Sequence, residues 1–210
     1  MSSTARLRGL YAITDAALMP RHRFSGQIEA ALAGGARLIQ YRDKSADHRQ
    51  RLFQARLLAM LCRNHGATLI INDDIDLAAA SGAHGVHLGR DDAPLEAARE
   101  RLGPDAIIGL SCYASLACAH RAQAEGADYV AFGSFFPSPT KPDAARAPVD
   151  LLGRACRSLS VPVAAIGGIT AANGAELVRA GADMLAVISS VFGAEDVRGA
   201  AAAVAALFQD

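Results

Sequence analysis

The sequence of 210 residues predicts an α/β fold, a TIM (β/α)8 barrel that forms a single domain over residues 1–210. Three observations favour this fold. Short apolar runs of strand length recur along the chain, and amphipathic stretches with helical spacing lie between them. A glycine joint leads from each of several predicted helices into the next strand, with a period averaging roughly 25 residues. Eight such units match the length of about 200 to 250 residues that this barrel needs.

The predicted strands are the apolar runs. They are apolar on both faces, as expected of a parallel sheet that is covered by helices. The runs are Leu10–Ile13, Leu38–Gln40, Thr68–Ile71, Gly85–Leu88, Ile107–Leu110, Tyr129–Phe132, Val161–Ile166 and Met184–Ile188.

The stretches between these runs are predicted helices. Apolar stripes such as Ile28, Ala31 and Leu32 have helical spacing. Side chains that can cap a helix N-terminus precede several of them, at Ser25, Ser45, Ser115, Thr170 and Asp196. The joints that follow the helices are Gly34-Gly35-Ala36, Gly66-Ala67, Ser81-Gly82-Ala83, Gly126-Ala127-Asp128 and Gly181-Ala182-Asp183. Glycine there supplies the left-handed residue that ends a helix.

An open, doubly wound sheet is the alternative arrangement of the same units. Polar groups follow nearly every predicted strand, whereas a doubly wound fold would concentrate them near one switch point. No GxGxxG motif follows the first strand. The closed barrel is therefore favoured, with its functional groups at one end.

Composition excludes several classes of partner. Acidic and basic residues balance at 21 each without a run of like charge, so neither nucleic acid nor a membrane surface is expected as a partner. No apolar stretch approaches the roughly 20 residues that cross a bilayer, and the polar residues 1–8 do not resemble a signal peptide. A cytoplasmic protein is expected, with its four cysteines reduced and no structural zinc.

A cationic cluster follows the second strand. Gln40, Arg42 and Lys44 alternate along an extended segment and therefore share one face. Two cations and an amide on one face suit a phosphate or diphosphate group. The alternative is a solvated loop in which Arg42 pairs with Asp43.

An acidic cluster follows the third and fourth strands, as Asn72-Asp73-Asp74 and Asp91-Asp92. Neighbouring parallel strands lie about 5 Å apart, so carboxylates at both ends can share one hard cation. Mg²⁺, completed by water and substrate phosphate, is the expected ion. The alternative is that these aspartates cap the helices that follow them.

Three further loops offer anion-binding groups. The loop of residues 133–141 is rich in hydroxyls and ends at Lys141, Ser111 follows the fifth strand, and the last two strands end at Gly167-Gly168 and Ser189-Ser190. Loops after strands seven and eight commonly bind phosphate in this barrel. The predicted site thus holds two anionic groups and one cation. It has no evident nucleophile that a neighbouring base activates.

Two further residues with reactive side chains lie near the predicted site. His87 is interpreted as a strand residue packed in or near the barrel and not as a catalyst. Cys112, beside Ser111, is a possible nucleophile, but no cationic partner for its thiol is evident.

Along nearly its whole length the chain resembles the thiamine-phosphate synthase family. The matching segments, taken in order, are far more specific than any one of them. They are Gly9-Leu10-Tyr11-Ala12-Ile13-Thr14-Asp15, Gln40-x-Arg42-x-Lys44, Ile71-Asn72-Asp73, Gly85-Val86-His87-Leu88-Gly89 followed by Asp92, Ile108-Gly109-Leu110-Ser111, Pro137-Ser138-Pro139-Thr140-Lys141, Ala165-Ile166-Gly167-Gly168-Ile169 and Val187-Ile188-Ser189. Thr14-Asp15 matches the family, but no role for it is evident.

The resemblance implies a TIM-barrel transferase with phosphorylated pyrimidine and thiazole substrates. Such enzymes join a pyrimidinylmethyl diphosphate to a thiazole phosphate with Mg²⁺, giving thiamine monophosphate and pyrophosphate through a pyrimidinylmethyl cation. It implies that Asp73 and Asp92 bind the metal. It implies that the diphosphate is held by Gln40, Arg42, Lys44, Asn72, Ser111 and Lys141, of which Arg42, Lys44, Ser111 and Lys141 are catalytic. It implies that the thiazole phosphate is held by Ser138, Thr140, Gly168, Ile188 and Ser189.

The chain departs from the family pattern at two positions. Ser138 stands where a threonine is usual and Arg90 where a glutamine is frequent. Serine keeps the hydroxyl, whereas Arg90 can alter the metal loop or pair with Asp91. Two alternatives to the synthase are a thiazole tautomerase-like isomerase, which needs neither both carboxylates nor Lys141, and a non-catalytic phosphate-ligand sensor. The oligomeric state is left open.

Overall fold

The computed structural model of the protein describes residues 7–138 and 145–209. Within these residues lie eight strands and nine α-helices. The strands are β1 (Gly9–Ile13), β2 (Leu38–Tyr41), β3 (Thr68–Asn72), β4 (Gly85–Leu88), β5 (Ile107–Tyr113), β6 (Tyr129–Phe132), β7 (Val163–Ile166) and β8 (Met184–Val187). The helices are α1 (Phe24–Ala33), α2 (His48–Asn64), α3 (Ile75–Ser81), α4 (Leu95–Leu102), α5 (Leu116–Ala124), α6 (Val149–Ser158), α7 (Gly174–Arg179), α8 (Ser189–Phe192) and α9 (Val197–Ala205), which a 3₁₀ turn, Ala206–Phe208, follows.

The strands form one closed parallel barrel in chain order. Each strand pairs with the next, and β8 pairs with β1 through Gly9 and Met184. Helices alternate with the strands, and so the predicted TIM (β/α)8 barrel is confirmed. Because the strands are parallel, their C-terminal ends meet at one rim.

Alternation along each strand divides the core into two layers. On β1, Tyr11 and Ile13 belong to the apolar cluster inside the barrel. Leu10 and Ala12, between them in the sequence, belong to the larger cluster that packs the strands against the helices. Successive strand side chains point to opposite faces, which is why all five residues of β1 are buried.

Six of the eight strands have bounds that differ from the prediction, and in β5 and β7 the difference is more than one residue. β7 begins at Val163 and not at Val161, because Pro162 has no N–H to donate to the sheet. β5 continues to Tyr113, and its register against β6 shifts between Ser111 and Tyr113. Tyr113 adopts φ 54°, which is uncommon for a residue with a side chain.

Two of the predicted helix caps are confirmed and three are wrong. Ser115 accepts a hydrogen bond from the Cys118 N–H, and Asp196 accepts one from Gly199. Ser25 lies inside α1, and α7 begins well after Thr170. In place of Ser45, Asp47 caps α2, because the loop after β2 is longer than the sequence indicates.

The glycine joints lie at the end of the barrel where the helices lead into the strands. Gly35, Gly66 and Gly82 have φ of 99°, 64° and 74°, as the sequence predicts for residues that end helices. The polar loops that follow the strands lie at the other end. Among the described residues, no helix is long and apolar enough to cross a membrane.

Candidate active site

A cavity of about 380 Å³ opens at the C-terminal ends of the strands. This volume lies within the range of small-molecule sites, about 300–1,000 Å³. Eight of the predicted site residues line it: Gln40, Arg42, Asn72, Ser111, Ser138, Gly168, Ile188 and Ser189.

The other predicted site residues lie elsewhere. Lys44, Asp73 and Asp92 form a contact group of their own beside Arg42 and Asn72. Thr140 and Lys141 lie outside the described residues.

Arg42 is held by the two residues that follow β1 and not by its sequence neighbour Asp43. The Thr14 hydroxyl accepts a hydrogen bond from the Arg42 N–H at 2.8 Å and donates to the Arg42 carbonyl at 3.3 Å. The carboxylate of Asp15 lies 3.9 Å from the Arg42 guanidinium. Asp43 instead accepts hydrogen bonds from the Ser45 N–H and the Tyr41 hydroxyl. The strand order thus fixes the Arg42 backbone at the rim.

Asp73 and Asp92 bring two carboxylates together. Asp73 has φ 64°, and its N–H donates to the His87 carbonyl at 2.8 Å. Burial raises the pKa of Asp73, and contact with the Asp92 carboxylate raises it further. Lys44 opposes this increase, with its Nζ 3.2 Å from Asp73 Oδ2. The positive charge of Lys44 therefore favours the ionised form of Asp73.

The neighbouring Asp74 has a different role. Its carboxylate caps α3 by accepting from the Leu77 N–H at 2.8 Å, and it pairs with Arg51 at 2.8 Å. Asp92 does not cap α4, because its Oδ2 accepts from the Gly89 N–H at 2.6 Å within its own loop. The helix-cap alternative thus applies to Asp74 alone of these three aspartates.

The Asp73–Asp92 pair has the donor chemistry of a Mg²⁺ site. Mg²⁺ is usually held by one or two carboxylates, with water and phosphate oxygens in its other positions. In the described part of the chain no group of three His, Cys, Asp or Glu side chains is placed to bind a metal. The pair thus fits an ion that shares its coordination with a phosphorylated ligand.

Glycine backbone forms the opposite wall of the cavity. Gly167 and Gly168 have φ of 105° and 62°, and the loop after β6 lies directly against them. The Phe136 N–H donates to the Gly167 carbonyl at 3.0 Å. A side chain at Gly168 would collide with the Pro137 carbonyl. The two loops are therefore closely packed, and Ile188 and Ser189 line the same cavity.

A chain of hydrogen bonds, which we call the polar relay, crosses the floor of the cavity. Gln40 Nε2 donates to the Tyr11 hydroxyl at 2.7 Å, and the Tyr11 and Tyr129 hydroxyls are 2.8 Å apart. The Tyr129 hydroxyl lies 2.9 Å from His87 Nδ1, and His87 Nε2 lies 2.9 Å from Ser111 Oγ. The relay joins two predicted ligand-binding residues, Gln40 and Ser111.

His87 is buried on β4, as the sequence-based interpretation holds. Its ring stacks on that of Tyr129 with the centroids 5.5 Å apart. Burial lowers the pKa of His87 to about 4. The imidazole is therefore neutral near pH 7.

Sequence reasoning missed Tyr11 and Tyr129 as parts of the site. Their one signal is Gly109, which pairs with His87 in the sheet. A Cβ at Gly109 would collide with the Tyr129 ring, so this glycine provides the space for the ring. The sequence does not show which ring fills that space.

Arg90 and Cys112 also lie near the cavity. The Arg90 guanidinium lies over the ring of Tyr113, 4.8 Å from its centroid, and no ion pair with Asp91 is found among the described residues. Cys112 is fully buried, and burial raises the pKa of its thiol well above the usual range. A buried, protonated thiol is not a nucleophile.

The barrel and its rim define a class of protein: a TIM-barrel enzyme whose site combines cationic side chains and paired carboxylates with a glycine-lined wall. The chain belongs to the thiamine monophosphate synthase family, whose model matches residues 10–191.

Individual relatives agree with this assignment. A thiamine-phosphate synthase of Thiobacillus denitrificans is 59% identical over 200 residues, which are 95% of this chain and 94% of that one. One from Thioalkalivibrio sulfidiphilus is 54% identical over 97% of both chains. The solved structure of thiamine phosphate pyrophosphorylase from Pyrococcus furiosus superposes with a TM-score of 0.89 at 39% identity, over 98% of this chain and 97% of that one.

These similarities confirm the sequence-based predictions of family and enzyme class. The chain is an enzyme, a transferase of thiamine biosynthesis built on a TIM barrel.

Proposed function

We propose that the protein joins a pyrimidinylmethyl diphosphate to a thiazole phosphate, producing thiamine monophosphate and pyrophosphate in a Mg²⁺-dependent reaction. The observation that carries the proposal is the division of one site into two halves. Cationic and carboxylate groups follow β2 to β4, and glycine backbone with hydroxyls follows β7 and β8. Two differently phosphorylated substrates fit such a site better than one.

The diphosphate half is assigned to the rim of β2 to β5. Gln40, Arg42, Asn72 and Ser111 line the cavity there, and Lys44 pairs with Asp73, the residue after Asn72. The Arg42 fork and the Lys44 ammonium suit the oxygens of a diphosphate. Lys141, by its place in the sequence, is assigned to the same group.

Asp73 and Asp92 would hold Mg²⁺ beside this half. Their contact and the raised pKa of Asp73 indicate a pair that needs positive charge. When bound, the ion would supply charge that stabilises the diphosphate as a leaving group. Lys44, which already lies beside Asp73, would then be free to turn toward the diphosphate oxygens.

The thiazole phosphate is assigned to the glycine-lined wall. Backbone N–H groups near Gly168 and Ile188 and the hydroxyls of Ser138 and Ser189 lie around one end of the cavity. Glycine lets an anion approach the backbone closely. Thr140 is assigned to this half from its place in the sequence.

The proposed reaction requires no protein nucleophile. The C–O bond to the diphosphate breaks with both electrons leaving on the pyrophosphate oxygen, and a pyrimidinylmethyl cation remains. The thiazole nitrogen lone pair then forms the new C–N bond. Arg42, Lys44, Ser111 and Lys141 stabilise the negative charge of the departing group, and the cavity holds the two rings together.

A turnover assay tests the proposal. Purified protein is mixed with both substrates and Mg²⁺, and pyrophosphate and thiamine monophosphate are measured. We expect both products in equal amounts, and neither with one substrate alone or with excess chelator. Binding of both substrates without pyrophosphate release would instead identify a sensor. Isomerisation of a thiazole phosphate without the pyrimidine would identify the tautomerase alternative.

A further inference from the structure

The polar relay has a direction that follows from counting its protons. Each tyrosine hydroxyl carries one proton, and a neutral histidine carries one on either ring nitrogen. Gln40 Nε2 donates to the Tyr11 hydroxyl at 2.7 Å, so the Tyr11 oxygen is an acceptor at that end. Tyr11 then donates its own proton across the 2.8 Å contact to Tyr129.

The same count continues to Ser111. Tyr129 accepts from Tyr11, so its proton goes to His87 Nδ1 at 2.9 Å. His87 Nδ1 is then an acceptor, and the imidazole proton lies on Nε2. Nε2 donates to Ser111 Oγ at 2.9 Å, which leaves the serine proton available to the cavity.

We propose that Tyr11, Tyr129 and His87 are positioning residues, whose directed relay from Gln40 makes the Ser111 hydroxyl a hydrogen-bond donor toward the bound substrate. This inference rests on the proposed function, in which Ser111 faces the diphosphate. A leaving group that gains negative charge needs donors. In a relay of the opposite direction Ser111 would donate its proton to His87, and the substrate would face only the lone pairs of the serine oxygen.

Burial favours a single direction. Tyr11 and Tyr129 are 1% and 0% exposed, so water does not compete for their hydroxyls. If Tyr129 donated to Tyr11, the Tyr11 oxygen would accept from both Gln40 and Tyr129 and its own buried proton would have no acceptor in the relay. Buried networks of this kind are coupled beyond the sum of their pairs.

The first experiment reads the tautomer of His87 in the ligand-free protein. Two-bond ¹H–¹⁵N correlation spectra of ¹⁵N-histidine protein at neutral pH distinguish Nε2–H from Nδ1–H. The His87 signals are assigned among the six histidines by their loss in His87→Asn. We expect Nε2–H. Nδ1–H would overturn the proposal.

A variant at the far end tests whether Gln40 sets the direction. Gln40→Met removes the donor but keeps the length of the side chain, and we expect Nδ1–H to become populated at His87. Tyr41→Phe is the matched control, because the Tyr41 hydroxyl is also buried but hydrogen-bonds to Gln54 at 2.8 Å, outside the relay. An Nε2–H signal unchanged by Gln40→Met would show that Gln40 does not set the direction.

The second experiment measures turnover. Tyr11→Phe and Tyr129→Phe each remove one oxygen, and we expect kcat to fall about tenfold in each, as for the loss of one hydrogen bond felt in the transition state. Tyr41→Phe should leave kcat unchanged. Thermal melting of all three variants identifies any that fail to fold, and Tyr11→Phe and Tyr129→Phe test the relay independently.

A double-mutant cycle shows whether Tyr129 acts through Ser111. Tyr129→Phe should have little further effect on kcat in a Ser111→Ala protein, because the donor that it orients is already gone. Equal effects in both backgrounds would overturn the positioning role. If the wild-type protein releases no pyrophosphate at all, the proposed function fails, whereas the tautomer measurement still decides the direction of the relay.

Discussion

Thr14 and Arg42 are joined by two hydrogen bonds across the rim of the barrel. The Thr14 hydroxyl accepts from the Arg42 N–H at 2.8 Å and donates to the Arg42 carbonyl at 3.3 Å. These bonds connect β1 to the segment that follows β2, and they give Thr14 a role that its sequence context does not reveal. Asp15, 3.9 Å from the guanidinium, balances its charge.

Replacing Thr14 with valine should therefore destabilise the protein. Valine has the same shape but leaves the Arg42 N–H without its partner in a buried place, at a cost of about 1–3 kcal/mol in the free energy of unfolding. Urea denaturation measures this cost. Thr14→Ser keeps the hydroxyl and is expected to recover most of the stability. If both variants are equally stable, the two bonds contribute nothing.

Substitutions at the neighbouring residues Asp73 and Asp74 should have different effects, the first on metal-dependent turnover and the second on stability. Asp73→Asn should reduce Mg²⁺-dependent turnover by about 10²-fold or more, because a ligand charge next to the leaving group is lost. Its unfolding free energy should change little, since asparagine tolerates the φ of 64° found there. Turnover at saturating Mg²⁺ and urea denaturation are the two measurements.

The matched control is Asp74→Ala. It removes the α3 cap and the partner of Arg51, which should cost about 1 kcal/mol or more of stability while turnover remains. Asp92→Ala should lose turnover as Asp73→Asn does, and it should also lose some stability because the Gly89 N–H loses its acceptor. Full Mg²⁺-dependent turnover in Asp73→Asn would remove this residue from the metal site.

His87 should make stability depend on pH below neutrality. Its pKa is lowered to about 4 in the folded protein, so the unfolded chain binds the proton first as pH falls. Stability should decline between about pH 6.5 and pH 4, by about 3 kcal/mol in total, and no further below that range.

Urea denaturation of wild-type protein and His87→Gln across this range isolates the effect, because the other titrating groups are common to both. The wild-type curve should fall more steeply than that of the variant. Parallel curves would mean that His87 is not neutral in the folded state.

The cysteines should differ in their reaction with an alkylating reagent. Cys62 is buried, and burial raises the pKa of its thiol to about 12, while that of Cys156 is raised to about 11. Cys112 is buried as well. Cys118, which is partly exposed, should therefore react first, as mass spectrometry of the native protein over time can show. Early labelling of Cys62 would contradict its burial.

Gly168→Ala should weaken binding of the thiazole phosphate. An added Cβ would collide with the Pro137 carbonyl and shift the glycine-lined wall. Gly66→Ala is a matched control, since Gly66 has a similar φ of 64° but no atom within 4 Å of an added Cβ. Gly66→Ala should lose about 1 kcal/mol of stability from backbone strain alone, and Gly168→Ala should lose more, because its added Cβ also meets backbone atoms.

Only Gly168→Ala should raise the KM for the thiazole phosphate, by about tenfold or more. An equal change in KM for Gly66→Ala would show that backbone strain, and not the position of the wall, is responsible.

Local patterns in the sequence were sufficient to predict the barrel. Apolar runs and glycine joints depend on residues close together in the chain, and strands such as β4 and β6 have the predicted bounds. The predicted start of β7 was wrong because Pro162, inside the apolar run, has no N–H to donate to the sheet. Ser45 was wrong as a cap because the chain runs on to Asp47 before α2 begins.

The site residues that the sequence predicts are mostly polar residues at the ends of apolar runs. The residues that it misses are buried on strands that are far apart in the chain. Gln40 and Ser111 follow or end apolar runs, and their polarity alone marks them. Tyr11 and Tyr129 lie within apolar runs, 118 residues apart, and in the sequence they are indistinguishable from core residues. Their hydroxyl contact exists only because β1 and β6 face each other inside the closed barrel.

The relay also links substrate recognition to the order of folding. Its members come from β1, β2, β4, β5 and β6, so no fragment of two or three consecutive strands contains it. A partly folded chain that ends before β6 would have most of the cationic rim but no completed floor. Competence to bind substrate should therefore arise late, when the strands close, and ligand affinity can serve as a probe of barrel closure during refolding.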